Sequence, residues 1–177
     1  MKRVGVLLAA LLMLVGCGKA QQQEDYSEKV QETLRQNYRF TATFKYEEIE
    51  GEALIEKTAE DHLVASISKP ATMEGMVITL SGEDVSLAYH TMEIDLSGYQ
   101  LPTESIVSVL RQILAGEGIS SVTEESGIVT ATGDYVLFHY NVTFDAATMT
   151  PLTISVPELA IEVTITDFTP LEATQAM

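Results

Sequence analysis

Few residues in this chain are of types and spacings that could do chemistry, and the most informative is a thiol. The sequence has 177 residues and one cysteine, Cys17, which closes the run Leu14-Val15-Gly16-Cys17. Exported proteins that use cysteines for stability carry them in pairs, so a lone thiol at this place needs another purpose. The three histidines, His62, His90 and His139, sit in or beside strand-like runs and have neither i, i+4 helical spacing nor an HExxH arrangement. Serines are plentiful, but no G-x-S-x-G elbow, phosphate loop or dinucleotide fingerprint occurs. Carboxylate pairs such as Glu47-Glu48 and Glu124-Glu125 read as solvated charges. We therefore expect no enzyme, no cofactor and no metal site, and a function that rests on binding.

The opening MKRVGVLLAALLMLVGC has a positive end at Lys2 and Arg3, an apolar run from Val4 to Val15 and the small Gly16 before Cys17, the plan of an export signal. Twelve helical residues reach about 18 Å, short of the roughly 30 Å hydrocarbon core, so cleavage is expected rather than spanning. The stretch resembles the lipobox of bacterial lipoproteins. That resemblance implies a diacylglyceryl group on the Cys17 sulfur and cleavage that leaves Cys17 first; the alternative is an ordinary secretory signal with a chance cysteine. Two acyl chains, of the palmitate class, would anchor stably where one gives only marginal binding. The chain is then exported and held on the outer face of the bacterial cell membrane, or on an outer membrane where the host has one.

The formal charge of −16 becomes −18 once residues 1–16 and their two basic side chains are gone, and no Lys or Arg follows Arg111. Nucleic acid and anionic headgroups are poor partners for such a surface. The organisation expected is a signal peptide at 1–16, a lipidated cysteine and flexible spacer at 17–24, and a single domain at 25–177, most simply a monomer.

Within that domain a three- and four-residue spacing sets Tyr26, Val30 and Leu34 on one face of a helix from about Asp25 to Asn37. The period then becomes two. RFTATFKYEEI, GEALIEKT, HLVASIS, GMVITLS, VSLAYH and MEIDLS read as strands. A second helix lies in PTESIVSVLRQILAGEG, opened by Pro102 or Thr103 and stopped by Gly116. Strands resume with ISSVTEES, GIVTATG, DYVLFHYNVTFD, PLTISVP and ELAIEVTITDF. Such short connections favour antiparallel hairpins. The fold class expected is α+β, mainly β: a half-open curved antiparallel sheet, an incomplete barrel of about 9–11 strands, with the N-terminal and second helices on its concave face.

Such a sheet can leave an apolar cavity beneath its helices. Candidate ligand-binding residues are Phe40, Phe44, Tyr46, Met76, Ile78, Leu87, Tyr89, Met92, Phe138 and Tyr140, with Phe144 beside them. Equally, these side chains could be plain core with no void.

KPATMEGMVITLSGEDVSLAY, TMEIDL and PLTISVPELAIEVTITDF together resemble small bacterial lipoproteins of the lipoprotein-carrier superfamily, the LolA/LolB and LppX-like proteins. The resemblance implies a half-open barrel of about eleven strands with helices plugging its concave face. It also implies binding of a lipid, or the acyl chain of a lipoprotein, with a carrier or transfer role. The soluble carrier of that superfamily uses a buried arginine near its cavity, and that role is not assigned here to Arg35, Arg39 or Arg111. The competing function is a non-catalytic envelope interaction module with a filled core.

Overall fold

The computed structural model describes residues 18–46, 48–59, 61–96 and 106–171. Helix α1 spans Gly18–Arg35, and strands β1 (Tyr38–Tyr46), β2 (Ile49–Ala59), β3 (His62–Lys69), β4 (Met76–Ser81), β5 (Asp84–Tyr89) and β6 (Met92–Asp95) follow. Helix α2 (Ile106–Leu114) then leads into β7 (Ile119–Glu125), β8 (Ile128–Tyr135), β9 (Phe138–Asp145), β10 (Pro151–Val156), a 3₁₀ turn (Pro157–Leu159) and β11 (Ile161–Pro170). All eleven strands join one antiparallel sheet in the order β6-β5-β4-β3-β2-β1-β11-β10-β9-β8-β7.

The first and last strands of that order do not pair, so the sheet stays open, as the sequence leads one to expect. Register shifts at Arg39/Thr41, Glu52/Ala53, Lys57/Ala59, Ile119/Ser121 and Pro151/Thr153 add the local twist that lets a sheet of this width curl. Helix α1 begins at Gly18, ahead of Asp25, and runs back through residues that read as spacer. It packs against β7 and β8.

Alternation sorts the side chains. On β1, Tyr38, Phe40 and Ala42 are buried while Arg39 and Thr43 are exposed; on β9, Phe138, Tyr140, Val142 and Phe144 are buried. Across the sheet the register carries this face from Phe44 through Val163, Ile154, Val142 and Ala131 to Val122. Val30 and Leu34 of α1 and Val109 and Ile113 of α2 belong to the same buried cluster.

Two readings of the sequence are corrected. ELAIEVTITDF is strand only from Ile161, because Glu158 and Leu159 lie in the 3₁₀ turn. DYVLFHYNVTFD is not a single strand, because the chain reverses at Val136-Leu137 and Tyr135 pairs with Phe138. The run misleads because its two turn residues are apolar, where Asn, Gly or Asp ordinarily mark a two-residue reversal.

Candidate functional site

The site is built on the buried face of β2–β6, and its organising residue is a cation. Strand β2 alternates Gly51, Ala53, Ile55 and Lys57 inward. Lys57 is buried, and its Nζ donates to the carbonyl of Leu34 at 2.5 Å and to that of Leu114 at 3.1 Å. Those are the C-terminal carbonyls of α1 and α2, which have no partner within their own helices. A positive charge also suits the negative end of two helix dipoles at once. The ammonium lies 5.5 Å from the centre of the Tyr38 ring. Burial holds the Tyr38 hydroxyl well above its ordinary titration range.

Arg111 of α2 donates from Nη1 to the Gly82 carbonyl at 2.7 Å, and Gly82 is in the β4–β5 turn. Gln31 of α1 donates to the Gly116 carbonyl at 3.4 Å. Helix α2 is therefore fixed at the Gly82 end of β4 and β5, and the consequence shows in three rows set by the register. Leu63, Leu80 and Val85, nearest Gly82, are buried. One step up, Ala65, Ile78 and Leu87 are half-buried and Ile94 is 46% exposed. In the last row Met76 and Tyr89 are half-buried and Met92 is 59% exposed. Side chains of one apolar face thus leave their cover row by row along the strands.

Five of the residues singled out from the sequence, Met76, Ile78, Leu87, Tyr89 and Met92, meet on this wing. Phe40, Phe138 and Tyr140 are fully buried elsewhere on the same face. Phe44 and Tyr46 are half-buried beside β11, and the Phe44 ring lies over Gly51, filling the space a side chain there would take. Tyr140 likewise lies over Gly133, with its hydroxyl donating to the Glu117 carbonyl. Burial, with lesser contributions from Glu117 and Asp134, pushes the Tyr140 hydroxyl up to about 12. Sequence reasoning missed Lys57 and Ile94. The signal for Lys57 was its phase, two residues beyond Ile55 on the inward side.

Among the described residues no cluster of His, Cys, Asp and Glu could hold a metal ion, and no helix is long and apolar enough to cross a membrane. Cys17 lies outside the described residues.

An open eleven-stranded antiparallel sheet carrying two helices on its inner face is the architecture that the sequence resemblance implies. No family model and no curated protein matches the chain. Among solved structures, a conserved protein of Thermus thermophilus superposes with a TM-score of 0.53 at 14% identity, over 86% of this chain and 90% of that one. A LolA superfamily protein of Nitrosomonas europaea gives 0.46 at 10% identity, over 85% and 94%. The lipoprotein LppX of Mycobacterium tuberculosis gives 0.39 at 13%, over 87% and 95%. At 14% identity the first of these likenesses speaks to fold alone, and the other two superpose too loosely to add to it.

Away from the wing, a titratable clasp ties the β8–β9 hairpin to the 3₁₀ turn. His139 Nδ1 is 2.6 Å from Glu158 Oε1, and Nε2 is 3.3 Å from Asp134 Oδ1. The hydrogen bond to Glu158 is the main cause that raises the His139 pKa above 6.5, and the same bond lowers that of Glu158 below 4.5. A raised histidine stabilises fully below its unfolded value and stops doing so as pH rises through its folded value. A lowered carboxylate stabilises above its unfolded value and stops as pH falls through its folded one. The clasp is thus complete between about pH 4.5 and 6.5. The melting-temperature difference between wild type and His139→Ala is expected to peak in that window and to shrink as pH rises above it. A difference independent of pH would show that the clasp does not titrate.

Proposed function

We propose that the chain is a membrane-tethered lipoprotein, acylated at Cys17 on the outer face of the cell membrane. On the β4–β6 wing it binds a hydrophobic ligand, a lipid or the acyl chain of a lipoprotein, and it serves as a carrier rather than an enzyme. The observation that carries this reading is the graded loss of cover over one continuous apolar face, from buried Leu80 and Val85 to open Met92 and Ile94. A filled core would have no reason to continue its apolar alternation into two rows that it covers only in part and leaves exposed at Ile94 and Met92. An acyl chain laid along Ile78, Leu87 and Ile94 would remove that surface from water at about 25 cal/mol per Å².

The test uses a neutral fluorescent lipid, at an ionic strength near 0.15 M where the screening length is about 8 Å and repulsion from the acidic surface is damped. Wild type is expected to bind, and Met92→Glu and Ile94→Glu each to weaken binding about tenfold or more, because the ligand would bury an unpaired carboxylate. Both side chains are exposed, so the melting temperature should stay within a degree or two; Thr43→Glu, on the opposite sheet face, should bind as wild type. Binding unaffected by both wing variants would move the site elsewhere. No binding by wild type would leave the envelope interaction module as the reading.

A further inference from the structure

Among the described residues the most exposed large apolar side chain is Val136, at 86%, and its neighbour in the β8–β9 turn, Leu137, is 54% exposed. Two features set this turn apart from an ordinary surface reversal. Its residues are a β-branched and a branched aliphatic side chain, in a two-residue hairpin that Asn-Gly or Asp-Gly would serve better. Neither takes the positive φ that matches such turns to the twist of their strands. The local rule is broken with no packing gained, since both side chains point to solvent.

The register places this turn among others like it. The β1–β2, β3–β4, β5–β6, β8–β9 and β10–β11 connections all leave the same end of the sheet. Two more exposed apolar residues, Ile49 and Met92, flank connections at that end, and half-buried Met73 and Leu159 lie within them. Met92 also forms the open row of the wing, so the apolar surface of the ligand site runs out to this end.

We infer that this end of the sheet, led by Val136 and Leu137, dips into the interface of a neutral or zwitterionic bilayer and opens the wing toward it. The inference rests on the tether proposed above. Cys17 stands one residue ahead of α1, so acylation would hold the domain against the bilayer with no long spacer between them. A reversal already kept at that surface gains from apolar tips that a free protein would pay for in solubility. The charges at this end are mixed, with Asp134, Glu158 and Glu50 beside His139, Lys45 and Lys69, which gives an anionic surface no advantage over a neutral one.

The test uses the full acylated chain in phosphatidylcholine vesicles. A polarity-sensitive maleimide fluorophore is placed at Val136→Cys, and at Ala147→Cys in the β9–β10 turn on the opposite end as control. The Val136 probe is expected to shift to the blue, and lipid-borne quenchers to quench it several-fold more than the Ala147 probe. Equal quenching at the two positions would overturn the proposal. So would a blue shift without quenching, which would place the tip against protein. Wild type should take no label, because Cys17 sulfur is occupied; labelled wild type would show that the tether itself had failed, a different failure from equal quenching. Finally, Val136→Asn with Leu137→Gly is expected to melt no lower than wild type. A loss of several degrees would mean that the pair is kept for the fold and would also overturn the proposal.

Discussion

Lys57→Met is expected to destabilise the domain by about 3–5 kcal/mol, the largest loss of any single polar substitution among the described residues. The ammonium serves the last carbonyls of both helices, at Leu34 and Leu114, and each charge-assisted bond of this kind contributes about 1.5–3 kcal/mol. Methionine keeps most of the volume and removes the donors, so the loss is read as unmet carbonyls rather than as a cavity. Against a typical stability of 5–15 kcal/mol, and at about 2–4 °C per kcal/mol for a chain of this size, the melting temperature should fall on the order of 10 °C. Helix α2 has nine residues and could not persist alone, so its amides should lose hydrogen-exchange protection first. Lys57→Arg should recover much of the loss, since a guanidinium can reach two carbonyls. A Lys57→Met protein within 1 kcal/mol of wild type would show that the helices are held by their apolar faces alone.

The same residue marks the boundary of what the sequence made legible. The strands could be read because an antiparallel sheet with one solvated face imposes period two, and Phe40-Ala42-Phe44 against Thr41-Thr43-Lys45 displays it plainly. Helix α1 could be read because Tyr26, Val30 and Leu34 repeat at helical spacing. Lys57 was in phase with Ala53 and Ile55, yet its charge argued for the other face. Only the meeting of two helix ends, distant in sequence, gives a buried ammonium its partners. The Val136-Leu137 reversal was hidden for the opposite reason, since apolar residues read as strand wherever turn residues are absent. The wing was half legible. Met76, Ile78, Leu87, Tyr89 and Met92 are apolar, aromatic or methionine side chains of a kind that suits a cavity, but their graded exposure depends on tertiary cover, of which the Arg111 bond to the Gly82 carbonyl is one tie. No local pattern encodes cover of that kind.

The second large effect concerns a place where the sheet has no side chain. Gly133→Val should cost about 3–5 kcal/mol, comparable with the larger core truncations. Gly133 pairs across with Tyr140 on β9 and with Ile119 on β7, and the Tyr140 ring occupies the space that a Cβ at 133 would need. An aromatic ring laid over a strand glycine supplies the apolar cover that the glycine lacks, and it also leaves the two positions unable to change independently. Valine would drive the ring away. The Tyr140 hydroxyl would then leave the Glu117 carbonyl, in the segment joining α2 to β7, and the inward row that Tyr140 shares with Phe138 and Val142 would open. Tyr140→Phe separates the two contributions: the ring stays, one hydrogen bond goes, and the expected loss is only about 1 kcal/mol. Tyr140→Ala combined with Gly133→Val tests the coupling directly, because the clash needs both the ring and the new side chain. The double variant should be less destabilised than the sum of the two single ones by about 1–3 kcal/mol in denaturant melts. Strict additivity would mean that Tyr140 and Gly133 do not constrain one another, and that the inward face of β8 and β9 tolerates a side chain at 133 by moving its backbone instead.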